Sequence, residues 1–139
     1  MRHNIPFKRL LPGNATGKAL LLDEPISFWG GINPANGEII DVHHPQCGQN
    51  ISNTILVLPG TRGSTAAPGA LLEAIYSRHG PRAIVLPYAD PAVIIAIKVA
   101  VEMGLQSIPV ICISKQDFTY CQTGRQLEIH LSTFSADIS

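Results

Sequence analysis

The sequence holds 139 residues, enough for one domain spanning residues 1–139 that buries roughly two thirds of its unfolded surface. Its ten Lys plus Arg balance ten Asp plus Glu with no basic stripe, which argues against nucleic acid as a partner, and the longest apolar run, residues 91–101, is broken by Lys98 and too short to span a bilayer. Charged residues are only 14% of the chain, so one face is expected to be covered by another chain or domain; three cysteines without Cys-x-x-Cys spacing and no signal-peptide pattern point to a reduced, cytoplasmic protein.

In chain order, residues 8–17 read as a turn around Pro12-Gly13-Asn14, and residues 18–22 as the first strand. Residues 23–37 form a long loop around Phe28-Trp29-Gly30-Gly31-Ile32-Asn33-Pro34. Two accounts fit it: an aromatic plug whose glycines relieve strain, or a double glycine where a ligand or partner backbone comes close. Asn36-Gly37 marks a turn and residues 38–42 a strand. His43-His44-Pro45-Gln46-Cys47 invites a metal reading, but adjacent histidines of an extended chain point to opposite sides, and no second ligand pair stands at zinc spacing. Loop hydrogen bonding, at an interface, is the better account.

Residues 54–79 organise the rest. Ile55 to Leu58 suit a buried strand stopped by Pro59-Gly60, while Ala70, Leu71, Ala74 and Ile75 recur at helical spacing with Gly80 as the stop. Between strand and helix lies Thr61-Arg62-Gly63-Ser64-Thr65. Such a turn aims free amides and a positive helix end at one point, which favours an anion or a developing oxyanion. The Gly-Lys-Ser/Thr ending of a P-loop is absent, and Arg62-Gly63-Ser64-Thr65-Ala66 lacks the frame of a nucleophile elbow. A plain turn capped by Ser64 or Thr65 accounts for most of these letters, but it has no need of Arg62.

Further on, residues 83–86 read as a second buried strand, and Asp90-Pro91 as a capped helix start. The helix over residues 92–103 is apolar nearly all round and predicts cover on more than one side, with Gly104 closing it. Residues 108–113 form a strand of the parallel-sheet kind, with Cys112 a buried structural thiol. Residues 125–134 read as an edge strand and 135–139 as a frayed end or a lead to a partner. The sum is an α/β unit.

Trp29-Gly30-Gly31-Ile32-Asn33-Pro34, Asn36-Gly37-Glu38-Ile39-Ile40-Asp41, His44-Pro45 and Leu58-Pro59-Gly60-Thr61-Arg62-Gly63-Ser64-Thr65 together resemble the swivel domain, or small subunit, of aconitase X, over about residues 18–114. The resemblance implies a swivelling β/β/α domain that packs over a larger catalytic body holding an iron–sulfur cluster. It implies a dehydratase, acting on cis-3-hydroxy-L-proline to give a pyrroline carboxylate or on mevalonate 5-phosphate, with Ser64 as proton acceptor. The first substrate is preferred, because the loop supplies one arginine and no lysine for a phosphate. Ser64 has no histidine beside it in sequence, so Arg62, the amides of Gly63 and Thr65 and the helix end would have to favour its alkoxide or bind the substrate carboxylate. Thr65-Ala66-Ala67-Pro68 stands where relatives often carry a serine-rich run, which bears on Thr65 more than on Ser64. The three cysteines lack cluster spacing, so the cluster is expected on the partner. A module that holds a small anion without chemistry is the alternative from another class.

Overall fold

The computed structural model describes residues 1–62 and 67–138. Its strands are β1 (Arg2–Asn4), β2 (Lys8–Leu11), β3 (Ala15–Leu21), β4 (Ile55–Val57), β5 (Ala83–Leu86), β6 (Val110–Cys112), β7 (Gln126–Ile129) and β8 (Phe134–Asp137). The helices are α1 (Phe28–Gly31), a single kinked turn, α2 (Ala67–Tyr76) and α3 (Pro91–Glu102), with a 3₁₀ turn at Lys115–Tyr120. No helix among the described residues is long and apolar enough to cross a membrane.

The strands form one sheet in the order β1-β8-β7-β3-β4-β5-β6-β2. Its centre, β3 to β6, is parallel, and its flanks are antiparallel. Laid flat, eight strands would put β1 and β2 about 34 Å apart at ordinary spacing. The link from Asn4 to Lys8 can reach only about 14 Å. The sheet therefore has to curl until its two edges meet, and contacts across the seam show that it does. The Phe7 and Phe134 rings meet edge to face at 6.4 Å, and Arg9 of β2 donates to the carbonyls of His130 and Leu131.

Curling gives the sheet an inside and an outside, and side-chain alternation fills both. Ala19, Ile55, Val57, Ala83, Val85, Ile111, Leu127 and Phe134 face the interior. Leu20, Leu56, Leu58, Ile84, Leu86 and Val110 face outward, under Leu71 and Ile75 of α2 and Val93, Ala96, Ile97 and Ala100 of α3. Both helices thus lie on the outer side, which is the expected α/β class with its strand, helix, strand, helix, strand run intact. Each fully buried aliphatic side chain contributes about 1.5–3 kcal/mol.

Several expectations shift. The segment read as a turn at residues 8–17 holds β2 and the start of β3, and β1 precedes it; β1 is polar throughout and β2 in its first half, and their pairing partners β8 and β6 come from much later in the chain. The expected strand at 38–42 shrinks to bridges from Ile39 to Ile32 and from Glu38 to Asn50, because an Asx turn on Asp41, donated to by His43 N–H at 2.9 Å, bends the chain away. Residues 125–134 split into β7 and a turn leading to β8, and β7 lies inside the sheet between β3 and β8; residues 134–137 are strand, not fray. Cys112 is only half-buried, and the fully buried thiol is Cys121. On α3, Ile95, Val99 and Val101 stay exposed, as does Met103 at its C-cap, so this chain covers one side of the helix only.

Candidate functional site

The loops that leave the carboxyl ends of β3, β4 and β5 converge, which is where open α/β sheets place their ligands. After β4, Gly60, Thr61 and Arg62 run alongside Ile26: Ile26 N–H donates to Gly60 O at 3.3 Å and Arg62 N–H to Ile26 O at 2.9 Å. A Cβ on Gly60 would meet the Tyr88 hydroxyl at 2.8 Å, so glycine is needed for the tyrosine to lie against this strand extension. Arg62 is therefore fixed at its backbone while its head stays in solvent, 60% exposed. That head reaches Glu24 at 3.4 Å, an exposed pair worth little in stability, and so remains available to another carboxylate.

Beneath the loop sits Asp90, 4% exposed. As expected from Asp90-Pro91, it caps α3, with Oδ1 accepting from Ala92 N–H at 2.9 Å. Its other oxygen accepts from the hydroxyls of Thr61 at 2.5 Å and Tyr88 at 3.1 Å. Burial first, then the hydrogen bond to Asp90 and its charge, push the Tyr88 phenol above its ordinary range, so Tyr88 stays the donor. The sequence reading found the cap and missed the other two bonds. The one available signal was Tyr88 two residues ahead of the capping aspartate.

On the other side, the 41–49 turn is pinned to the segment after β3. His44, 5% exposed, accepts from Gln46 N–H through Nδ1 at 3.0 Å, which leaves its Nε2–H to donate to Glu24 O at 3.0 Å. Gln46 closes a reciprocal pair with Asp23, accepting from its N–H and donating to its carboxylate, each at 2.9 Å. Both ring nitrogens of His44 are thus spent on holding the loop beside Arg62. His43 is exposed and the two do not act together.

Trp29, 63% exposed, lies on a groove of about 540 Å³ lined also by Phe28, Pro34, Ile40 and, from α2, Ala70 and Glu73. Gly30 has φ +82° and open space where a side chain would stand, while Gly31 packs on Ile26. A second recess, about 290 Å³, brings Lys115 to Asp23 and Pro59. The described chain stops at Arg62 and resumes at Ala67, the first residue of α2; Gly63, Ser64 and Thr65, expected as amide donors and proton acceptor, lie outside the described residues.

An iron–sulfur cluster needs gathered thiolates. Cys47 is exposed, Cys112 half-buried, and the Cys121 thiol is pushed up to about 12, chiefly by burial and then by Asp117. Among the described residues no three His, Cys, Asp or Glu side chains gather for a metal, so these residues do not fit the cluster.

The family model for the aconitase X swivel domain matches residues 4–135. Over 123 residues the chain is 33% identical to a cis-3-hydroxy-L-proline dehydratase of Hypocrea jecorina, covering 88% of this chain and 21% of that protein. It is 34% identical over 124 residues to a phosphomevalonate dehydratase small subunit of Pyrococcus abyssi, covering 88% of each. The chain thus spans about a fifth of the length of the first relative and most of the second. In structure it matches a chain of aconitase X from Thermococcus kodakaraensis in its holo form, with a TM-score of 0.83 at 23% identity over 99% of this chain and 98% of that one.

Proposed function

The chain belongs to the aconitase X swivel-domain family, and from that premise we propose that it is the small component of a hydro-lyase, active only when a large catalytic subunit or fused domain closes over it. The observation that carries this reading is Arg62: its backbone is locked to Ile26 at the carboxyl end of the parallel strands, its guanidinium is solvent-exposed with only the weak Glu24 contact, and in sequence it stands two residues before Ser64. Dehydration of a hydroxy acid needs a base for the carbon-bound proton beside the carboxylate and a way to take the leaving hydroxyl. In this reading Ser64 accepts the proton. Arg62 and the amides of Gly63 and Thr65 hold the substrate carboxylate or favour the serine alkoxide. The iron–sulfur cluster that the family implies belongs to the large component.

The preferred substrate is cis-3-hydroxy-L-proline, yielding a pyrroline carboxylate. Dehydration of mevalonate 5-phosphate is the second reading, and Lys115 favours it, since this lysine stands in the recess beside Pro59 where a phosphate could use a second cation. Assay of the assembled protein on both compounds decides between them. Within either, Ser64→Ala is the test of chemistry: turnover lost while substrate binding persists supports the base role, and unchanged turnover removes it in favour of a module that only binds an anion. The isolated chain should show neither turnover nor an iron–sulfur absorption band, and a cluster on this chain alone would overturn the assignment to the partner.

A further inference from the structure

Asp90 does more than a helix cap requires. A capping aspartate needs one oxygen, which here accepts from Ala92 N–H; the second oxygen of this buried side chain accepts from Thr61 and Tyr88. Thr61 and Tyr88 flank Gly60, against which the tyrosine hydroxyl packs too closely for any Cβ. Thr61 in turn is the residue before Arg62, and both are held on their other side by the pairing with Ile26. The extended segment between β4 and the Arg62 loop is therefore clamped from two directions, by backbone bonds to Ile26 and by side-chain bonds to the start of α3.

We propose that Asp90 is a positioning residue, which through the hydroxyl of Thr61 fixes where Arg62 stands relative to α3. This rests on the reading of that loop as the catalytic one. The physical point is directional. A buried carboxylate with two neutral hydroxyl donors makes charge-assisted bonds, stronger than neutral ones, and one of them ends on the residue adjacent to the guanidinium. When a second body closes over the domain, a preset Arg62 does not have to be ordered at that moment, and a misplacement of about 1 Å is enough to cost about a hundredfold in rate.

The chemistry of the clamp allows its capping and positioning roles to be separated. Asp90→Asn keeps a good cap through its amide oxygen but puts an NH₂ donor where two hydroxyls donate. Thr61→Val keeps shape and loses the bond; Thr61→Ser keeps the bond and loses a methyl. In the protein assembled with its large component, Asp90→Asn and Thr61→Val should each lower kcat by about tenfold to a hundredfold with KM little changed, and Thr61→Ser should restore most of it. In parallel, amide hydrogen exchange on this chain should speed up at Arg62 in Thr61→Val and Asp90→Asn, with protection at Ala92 retained and Thr61→Ser resembling the wild type. Wild-type exchange at Arg62 in Thr61→Val overturns the proposal whatever the activity. Faster exchange with unchanged turnover in Thr61→Val also overturns it if Ser64→Ala is inactive. If Ser64→Ala is active too, it is the catalytic reading of the loop that fails, while the exchange result still stands or falls by itself.

Discussion

The interior of the curled sheet and the loops at its carboxyl end are built on opposite rules. Inside, Phe134, Val85, Ile111 and Leu127 meet one another with no polar atom among the side chains, so that region is held by area and volume. At the carboxyl end His44, Gln46 and Asp90 are nearly as buried, yet every one is held by bonds of fixed direction. Packing gives the first region its stability and leaves it indifferent to which atom touches which. The second gains less stability but a fixed geometry, which is what a site closing against another body needs.

That contrast can be broken by substitutions ordered by their expected size. Phe134→Ala empties the seam where β1, β2 and β8 meet, and should cost about 3–5 kcal/mol in denaturant unfolding. A cost below that of the polar variants would show that the interior is not what holds the fold. Gly37→Ala comes next. Gly37 has φ +82°, and a Cβ there would stand 2.3 Å from Ser52 Oγ, 2.7 Å from Asn50 Oδ1 and 3.0 Å from His79 O. Left-handed strain and the clash together should cost about 2–3 kcal/mol, and the methyl would push the 33–37 turn off the β4–α2 side of the molecule. His44→Leu keeps bulk while stranding Glu24 O and the Gln46 amide, an expected loss of about 2 kcal/mol. If this substitution proves neutral, the polar region is held by packing after all.

A smaller effect, confined to alkaline solution, separates the regions by titration. Burial raises the Cys121 thiol from 9.0 to about 12, so the folded chain keeps that proton where the unfolded chain releases it. The stabilisation is fully present below about pH 9 and drains away as pH rises toward 12. Cys121→Ala should flatten that part of the unfolding profile, and Cys47, which is exposed, should alkylate in the folded protein while Cys121 does not.

Much of the interior was legible in the sequence. The runs at 55–58, 83–86 and 108–113 are apolar and β-branched, and the strands appear there because parallel strands buried on both faces leave no other reading. Arg2-His3-Asn4 and Lys8-Arg9 carry no such pattern, since their pairing partners lie more than a hundred residues away and only closure of the sheet reveals them. The carboxyl-end loops were legible in part. Arg62 and the Asp90 cap stood out as chemistry, but the bonds of Asp90 to Thr61 and Tyr88, and of His44 to Glu24, join loops that follow different strands, and no local spacing encodes them.

The smallest expected effect lies far from both regions and tests a boundary that the sequence placed two residues late. Gly80 was the expected stop for α2, yet the helix ends at Tyr76 and the left-handed residue after it is Arg78, φ +65°. Arg78 N–H bonds to Ile75 O at 3.0 Å and His79 N–H to Ala74 O at 2.9 Å, the paired closure that usually has glycine at this position. Arg78→Gly removes the left-handed cost of about 1 kcal/mol, part of which returns as unfolded-chain entropy, leaving a gain of about 0.5 kcal/mol and a rise of a few degrees in Tm. Because Arg78 and Arg82 line one recess, relief of like charge would mimic this gain. Arg78→Ala separates the two: it removes the charge and keeps the Cβ, so it should gain nothing if backbone strain is the cause and as much as glycine if charge is.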